Sequence, residues 1–508
     1  MRSFIHKHII LLCFLAILVV AAFLRLYKLD SFPTGLSWDE AAIGYNGYGI
    51  LTVHRDEWLN RMPLTFKSFG DYKAAVAVYM NAVSIAIFGV NAFAIRFPMA
   101  MAGVVTTAAS YVIGLAIFKR QRYALLSMLL VGVSPLNVHF SRIAFESGIA
   151  VMFVTVGFAC LLHAPKRAWL YVVAALSLAL SLYTYHSTKI AVPLLAVTFA
   201  ITHAKNLLKE KKWVGVAVAV GVLVLLPLVR EAMYAHAADR FFMASQITNG
   251  TTLKPLPEVI SIIATNYAAH FTPAFVMFGQ SSTLRHGNGQ FGILSFIEVM
   301  LLLLGLFALI RQKVHRTWLW ILAIIFIAIL PAAIGDDAPH SNRAHLVIPW
   351  IQMVAVFGAQ FVLEKLPKKR QLYALVALVL LLAVQLVWQM QVYAHVYSTT
   401  AARDFQYGYK EAVLYAKSQE GKVDKVLLTS AYGQPYIFVL LYKKLDPIQY
   451  QQGALANYEI RDLHWDSDTD RTRTLISGTP SEIPADAPHI VKEILYPDGE
   501  VVFRIVEQ

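Results

Sequence analysis

The chain has 508 residues, of which 57% are hydrophobic and only 15% are charged, whereas soluble domains carry about 25% charged residues. This composition excludes an ordinary soluble enzyme and an intrinsically disordered protein. Both cysteines, Cys13 and Cys160, lie in apolar runs, which excludes a disulfide framework. We therefore expect a polytopic α-helical membrane protein.

Eleven apolar runs have about the length needed to cross a hydrocarbon core of roughly 30 Å. The first run lacks the small-residue cleavage site of a signal peptide and continues directly into residues 24–27, so we interpret it as a span. The predicted spans are 8–24, 98–117, 123–140, 148–163, 168–184, 190–204, 214–229, 292–310, 317–334, 346–363 and 371–390.

The net charge of +13 is concentrated on one side of these spans. If the N-terminus is cytoplasmic, the cytoplasmic segments contain 18 Lys and Arg residues but only two acids, Glu210 and Glu364, so the rest of the chain carries −3. This asymmetry follows the positive-inside rule and predicts a multi-pass protein of the plasma (inner) membrane. It also excludes nucleic acid as a partner, because no basic extracytoplasmic face remains.

A twelfth apolar run, 74–90, cannot cross the membrane fully without inverting every later loop. We therefore predict that it forms a helix in the extracytoplasmic interface, within a long first loop. From about residue 398 the chain becomes polar, with predicted strands at 426–429, 436–442 and 501–506 and a predicted helix at 404–417. We predict two domains: a transmembrane catalytic domain, 1–397, and a small extracytoplasmic α/β domain, 398–508.

The ionisable residues outside the spans are the candidates for a functional site. Charged side chains at the membrane edge are costly unless they pair or bind a charged ligand. The predicted extracytoplasmic loops contain Trp38-Asp39-Glu40, Asp71-Tyr72-Lys73, Arg96, Arg142, Glu146, His186, His270, Arg285-His286, His340 and Arg343.

Each of these residues also has an ordinary structural interpretation. Asp39 could cap the helix that follows it, Glu146 could cap a span or pair with Arg142, and Lys73 could be a snorkelling lysine. The histidines lack the spacing of a metal motif. No GxSxG, Walker or GxGxxG motif stands in a strand–turn–helix setting, which argues against nucleotide chemistry.

Taken together, two carboxylate positions and several cations at one membrane surface suit an anionic, membrane-anchored substrate and a hydroxyl acceptor. A carboxylate can deprotonate the hydroxyl. Lysine and arginine can hold a phosphate and stabilise the charge that grows on it as it leaves.

In their order along the chain, these motifs resemble those of the GT-C glycosyltransferases, in the branch of the protein O-mannosyltransferases and lipid A aminoarabinose transferases. The resemblance covers roughly residues 8–200. Ala74 and Ala75 stand where this family often has prolines, and Glu146 stands where it commonly has Asp. The matching motifs are Trp38-Asp39-Glu40, Asp71-Tyr72-Lys73, Arg96-Phe97-Pro98 and Ser141-Arg142 with Glu146.

The resemblance implies a GT-C-like fold, a polyprenyl-phosphate-linked sugar as donor, and inverting single-displacement transfer to a glycan, lipid or protein acceptor. Asp39 would be the general base, with Glu40 as its catalytic neighbour. Lys73 would bind the donor phosphate. Further phosphate ligands would be Arg96, Arg142, Arg285 and Arg343, and donor or acceptor would contact Glu146, Tyr72, His186, His270, His286 and His340.

The oligosaccharyltransferase branch of this superfamily uses a metal bridged between acidic motifs, whereas the second motif here is Glu146 alone. We therefore expect catalysis without a cofactor, with a divalent metal as the less favoured alternative.

Two other functions remain as alternatives. A lipid-linked glycan flippase or transporter would place ionisable residues near the membrane midplane on internal repeats. An O-antigen ligase or polymerase-type transferase would fit Arg285-His286 but fits Asp39-Glu40 poorly. The sequence does not indicate the sugar, the acceptor or the prenol length.

Overall fold

The computed structural model describes residues 2–234, 245–250, 252–287, 289–312 and 315–508. The chain divides into two compact units. The helical unit contains Met1–Tyr27 and Met99–Gln391, and the mixed unit contains Lys28–Pro98 and Val392–Gln508. The first long loop therefore folds with the C-terminal segment, a pairing that sequence patterns do not predict.

The apolar runs are helical, as the sequence predicts. By length and composition, eight helices in the described part of the chain are able to cross a membrane: Lys7–Leu26, Ala92–Phe118, Ser147–Lys166, His186–Lys209, Lys211–Glu231, Arg316–Ile334, His345–Leu363 and Lys368–Thr400. The polytopic helical architecture is therefore confirmed.

The remaining three predicted spans are helical but shorter. They form Gln121–Val133, Leu170–Leu182 and Phe296–Arg311, of 13, 13 and 16 residues, or about 20 to 24 Å at 1.5 Å per residue. The run at 123–140 is interrupted at Ser134, and Pro135 begins a short second helix, Pro135–His139. Their crossing of the membrane stays a prediction.

The helical unit also contains Leu256–His270 and Pro273–Phe278 and the short 3₁₀ turns Ala164–Lys166 and His345–Val347. In this unit Phe296–Arg311 packs along Trp350–Leu363, and Ser147–His163 packs along Leu170–Leu182. Small residues allow these close approaches, because a Cβ on Gly305 or Gly358 would overlap the backbone of the facing helix.

The first loop of the mixed unit begins with a helix, Trp38–Val53, which we call the Asp39 helix. A two-stranded hairpin follows, Thr65–Ser68 and Asp71–Ala74, which we call the Lys73 hairpin. The hairpin runs directly into Ala75–Phe88, the helix predicted to lie in the interface. Its 14 residues span about 21 Å, less than a hydrocarbon core, and it packs on the Asp39 helix.

The C-terminal part of the mixed unit is built around a five-stranded mixed sheet. The strand order is Tyr458–Ile460, Lys425–Leu428, Thr474–Gly478, Val501–Glu507 and Ile490–Leu495. The first three strands are parallel and the last two are antiparallel to their neighbours. The accompanying helices are Ser398–Thr400, Tyr409–Ser418, Pro435–Lys443, Pro447–Gln451 and Trp465–Asp468, after a π-helical segment Val392–Tyr397.

The predicted α/β character of this segment is correct, but one element is wrong. The run 436–442, predicted as a strand, lies in the helix Pro435–Lys443. Short apolar runs do not distinguish a buried strand from a buried helix. Here Pro435 occupies the first turn and Lys444 ends the helix in the left-handed conformation. The predicted helix 404–417 begins later, at Tyr409.

Candidate active site

The Asp39 carboxylate and the Lys73 ammonium form an ion pair in the mixed unit. Oδ1 of Asp39 lies 2.5 Å from Nζ of Lys73, and the side chains are 24% and 11% exposed. Two residues that the sequence assigned to one reaction are therefore in contact, and both remain accessible to a ligand. Partial burial strengthens the attraction relative to water.

The Lys73 hairpin explains how Lys73 reaches Asp39. Phe69 and Gly70 form its two-residue turn with φ values of 55° and 78°, the combination of a type I′ turn that matches the twist of a tight hairpin. Lys73 pairs in register with Phe66. Because side chains alternate along a strand, Tyr72 points to the opposite face from Lys73, and Lys73 contacts Asp39.

Glu40 has a different role from its neighbour. It is fully buried and forms a capping box with Ser37: the backbone N–H of Ser37 donates to Oε2 of Glu40, and the Glu40 N–H donates to the Ser37 hydroxyl. Arg96 donates to both Glu40 oxygens, from Nε at 2.8 Å and from Nη2 at 3.2 Å. Ser37, rather than Asp39, caps the helix.

Arg96 also fixes the segment that precedes the Asp39 helix. Its two terminal nitrogens donate to the carbonyl oxygens of Leu29, Pro33 and Gly35. With the two bonds to Glu40, all five N–H groups of the guanidinium are used, and the side chain is fully buried. This geometry argues against the predicted phosphate-binding role of Arg96 and assigns it the positioning of Asp39 instead.

In the helical unit, Arg142 attaches the turn that carries Glu146 to the end of the first helix, Arg2–Leu26. Its terminal nitrogens donate to the carbonyl oxygens of Leu24 and Tyr27, at 2.7 and 2.9 Å, groups that a helix end leaves without intrahelical partners. Arg25 reaches back to Ser141 and to the carbonyl of Gly132. Gly103 faces this contact, since a Cβ there would overlap the side chains of Arg25 and Ser141.

Three predicted site histidines of the helical unit, His270, His286 and His340, lie close together, and we call them the histidine cluster. Nδ1 of His270 lies 2.7 Å from the Asn266 carbonyl, and the backbone N–H of His340 donates to Nε2 of His270, so His270 is neutral with its proton on Nδ1. The rings of His286 and His340 are 4.3 Å apart. His139, which the prediction omitted, lies 3.0 Å from the Arg285 carbonyl.

Burial sets the protonation of this histidine cluster. It lowers the pKa of His270, and it lowers that of His340 well below its ordinary value, with the charges of His286 and Arg343 acting in the same direction. Neutral imidazoles both donate and accept hydrogen bonds, and such groups suit recognition of hydroxyl groups.

The remaining predicted residues of the helical unit are Arg343, Glu146 and His186. Arg343 pairs with Asp336 and Asp337 at 3.0 and 2.8 Å. Glu146 is at the N-cap position of Ser147–His163 and is 9% exposed. His186 begins the helix His186–Lys209, with its Nδ1 3.5 Å from Lys189 Nζ. The roles assigned to these residues stay predictions.

No group of three or more His, Cys, Asp or Glu side chains within the described ranges is placed to hold a metal ion. Metal-independent catalysis stays a prediction, because it requires a measurement of activity.

The chain is similar to known proteins in sequence over part of its length and in fold over nearly all of it. Residues 72–229 match the family model described as dolichyl-phosphate-mannose-protein mannosyltransferase. No curated protein matches the sequence significantly.

Solved structures extend the similarity to the whole fold. ArnT from Cupriavidus metallidurans in the apo state superposes with a TM-score of 0.56 at 12% identity over 97% of each chain. The same protein bound to undecaprenyl phosphate gives 0.57 at 12% identity, also over 97% of each chain. The Archaeoglobus fulgidus oligosaccharyltransferase, complexed with Zn and sulfate, gives 0.53 at 14% identity, over 97% of this chain and 72% of that one.

These matches support the resemblance found from the motifs. The chain has a GT-C-like fold, similar to that of ArnT and the archaeal oligosaccharyltransferase, and from the Lys73 hairpin to residue 229 it carries the sequence pattern of the mannosyltransferase family.

Proposed function

We propose that the protein is a membrane glycosyltransferase that moves a sugar from a polyprenyl-phosphate donor to an acceptor hydroxyl by inverting single displacement. The observation that carries the proposal is the contact of Asp39 with Lys73, a general base beside a phosphate ligand. Both belong to motifs that resemble the GT-C family. The undecaprenyl phosphate bound by the similar ArnT structure supports this donor class.

In this mechanism Asp39 takes the proton of the acceptor hydroxyl as its oxygen attacks the anomeric carbon. The bond from that carbon to the phosphate oxygen breaks at the same time. The ion pair with Lys73 keeps the Asp39 carboxylate oriented before substrate binds, and the capping box and Arg96 fix the backbone that carries it.

Lys73 stabilises the leaving group. A sugar phosphodiester carries about one negative charge, and the departing polyprenyl monophosphate approaches two. Because this charge grows during the reaction, the interaction with Lys73 is stronger in the transition state than in the ground state, which is the condition for catalysis. The other predicted phosphate ligands, Arg142, Arg285 and Arg343, belong to the helical unit, and their roles stay predictions.

The helical unit contains a groove suited to a prenyl chain. Its volume is about 200 Å³, and its walls are almost entirely apolar, including Phe271, Leu302, Phe326 and Ile351. His270, the one ionisable residue of its lining, connects it to the histidine cluster. Burying a prenyl chain against such a surface contributes about 25 cal/mol per Å² of apolar area.

The test is transfer by purified protein in proteoliposomes from undecaprenyl-phosphate sugars labelled in the sugar, with cell-envelope extract as acceptor. We expect label in the acceptor with wild-type protein and at least about 100-fold slower labelling with Asp39→Asn. A flippase would instead move the labelled lipid between leaflets without transfer, which would overturn the proposal. Orientation is tested in intact cells, where we expect the N-terminus to be cytoplasmic and residues 398–508 to be extracytoplasmic.

A further inference from the structure

The mixed unit contains a large cavity that none of the predicted site residues lines. Its volume is about 550 Å³, within the range of small-molecule sites. One wall is the segment 30–36, and the opposite wall comes from 406–414 and from the helix Pro435–Lys443. Val90, Asn91 and Ala92 complete it, and Ala92 is the first residue of the candidate span Ala92–Phe118.

The cavity wall is connected directly to the reaction centre of the same unit. Leu36, a wall residue, precedes Asp39 by three positions, so their Cα atoms are at most about 11 Å apart. Gln406, on the opposite wall, accepts a 3.0 Å hydrogen bond from the Trp38 N–H. Arg96 holds the carbonyl of Gly35, so the bonds that position Asp39 also position the cavity wall.

Gln406 adopts the left-handed conformation, with φ 46°. This region is sparsely populated for residues other than glycine and persists where the surroundings impose it, often at functional sites. Here it places the side-chain oxygen on the Trp38 N–H and the side-chain amide on the Asp404 carbonyl. Gln406 therefore couples the cavity wall to the start of the Asp39 helix.

The lining offers both hydrogen-bonding groups and apolar rings. Oε2 of Glu411 is buried and, among the residues that the structure describes, meets no hydrogen-bond donor. Glu411 lies near two tyrosines of the same lining, since its charge adds to burial in raising the pKa of both Tyr407 and Tyr442. A buried carboxylate oxygen needs a donor, which a ligand hydroxyl would supply.

The charges of the lining favour a neutral ligand over a strongly ionic one. Asp30 and Glu411 balance Lys410 and Lys444, so the cavity has no net charge to attract a phosphate or a polycation. A sugar has many hydroxyl groups and an apolar ring face, which fits acceptors and donors placed among aromatic and aliphatic side chains such as Phe438 and Leu414.

We propose that this cavity binds the carbohydrate portion of the acceptor, with Glu411 as a hydrogen-bond acceptor for its hydroxyl groups. The acceptor role rests on the transferase proposed above, whereas the binding of carbohydrate does not. The same chemistry is presented by a soluble glycan and by the head group of a glycolipid, and the experiment distinguishes these sources.

The test uses the full-length protein in nanodiscs and two variants of the cavity. Leu414→Trp fills it from the exposed side, and Glu411→Gln keeps the volume but removes the charged acceptor. Lys417→Trp is the control, because Lys417 is exposed on the same helix, Tyr409–Ser418, and is not among the lining residues. The probes are two tritiated cell-envelope fractions, the water-soluble glycans and the organic-soluble glycolipids.

In one of the two fractions, we expect Leu414→Trp to raise the KM for acceptor at least tenfold and to weaken direct binding of the acceptor by the same factor. Glu411→Gln should change both quantities about fivefold. Lys417→Trp stays within twofold of wild type, and binding of fluorescent undecaprenyl phosphate stays unchanged in all variants. The responding fraction identifies the source. Should Leu414→Trp not yield folded protein, Glu411→Gln carries the test.

Wild-type values for both cavity variants in both fractions would overturn the cavity assignment and leave the transferase intact. If wild-type protein transfers no sugar but binds glycan in a cavity-dependent way, the transferase proposal fails and carbohydrate binding stands.

Discussion

Asp39 and Lys73 are separated by 34 residues in sequence, yet their charged groups lie 2.5 Å apart. The contact joins the first turn of a helix to the last residues of a hairpin strand. It is formed within a single compact unit.

Asp39→Asn should lower kcat by 10² to 10⁴, the range that a general base contributes, because the amide cannot take the hydroxyl proton. Binding of undecaprenyl phosphate should persist, since Lys73 remains. Initial rates of sugar transfer and equilibrium binding of the labelled lipid measure the two effects. Turnover near the wild-type rate would remove Asp39 from the role of base.

Lys73→Met should lower kcat by about 10² to 10³, the usual effect of removing one charge-stabilising group, while the KM for donor changes less. The reason is that charge on the phosphate grows during the step. Lys67→Met, in the other strand of the same hairpin and exposed, is the matched control. A large rise in KM with kcat unchanged would mean that Lys73 only binds the ground state.

Arg96→Met should destabilise the fold by about 3 to 5 kcal/mol, because it leaves the Glu40 carboxylate buried without its partner. Glu40→Leu combined with Arg96→Met should be less destabilising than Arg96→Met alone, since the uncompensated charge is then removed. Thermal unfolding in detergent measures both. Equal stability of the single and double variants would show that Arg96 acts through its carbonyl contacts rather than through Glu40.

Gly103→Ala should be strongly destabilising, because the added Cβ overlaps the side chains of Arg25 and Ser141, which are hydrogen-bonded to each other. The control is Gly215→Ala in the candidate span Lys211–Glu231, where a Cβ meets nothing within 4 Å and alanine favours the helix by about 1 kcal/mol. Folded yield and melting temperature should separate the two. Similar behaviour of both variants would contradict the packing argument.

Glu57 should make the mixed unit less stable as pH rises. Burial, opposed by the neighbouring Tyr436 hydroxyl and assisted by Asp56, raises the pKa of Glu57 from 4.5 to about 7. Between pH 4.5 and 7 the unfolded chain loses a proton that the folded chain keeps. The free energy of unfolding therefore decreases by about 3 kcal/mol as the pH rises from 4.5 to about 7.

Glu57→Gln removes this titration. The melting temperature of the variant relative to wild type should therefore increase from pH 4.5 to 7 and then stay level. Taking the difference cancels the opposite contribution of the histidine cluster, whose lowered pKa values make stability fall at acid pH. Parallel curves for the two proteins would show that Glu57 is not a buried acid.

Composition and local pattern were sufficient for the membrane class, the helical runs and the candidates Asp39 and Lys73. A hydrophobic run indicates that a segment lies in an apolar environment, and the residue types and spacing of a motif indicate its chemistry. Both features depend only on residues that are close in sequence. The sequence could not show that Glu40 is buried while Asp39 stays partly exposed, because adjacent helical residues point about 100° apart and only their surroundings decide which is buried. The capping box with Ser37 and the ion pair with Arg96 are those surroundings.

Tertiary structure alone decided which distant segments come together. The association of the first loop with residues 392–508, and hence the contact of Gln406 with Trp38 and the cavity beside it, rests on contacts between residues hundreds of positions apart. No periodicity encodes such contacts. The helix at 436–442 was misassigned for the same reason, since a short apolar run takes the secondary structure that its packing partners permit. The sequence by itself therefore determined the features that depend on a residue and its near neighbours, namely the membrane class and the helical runs. The tertiary structure decided the features that depend on distant residues packed together, namely the mixed unit, its cavity and the burial of Glu40.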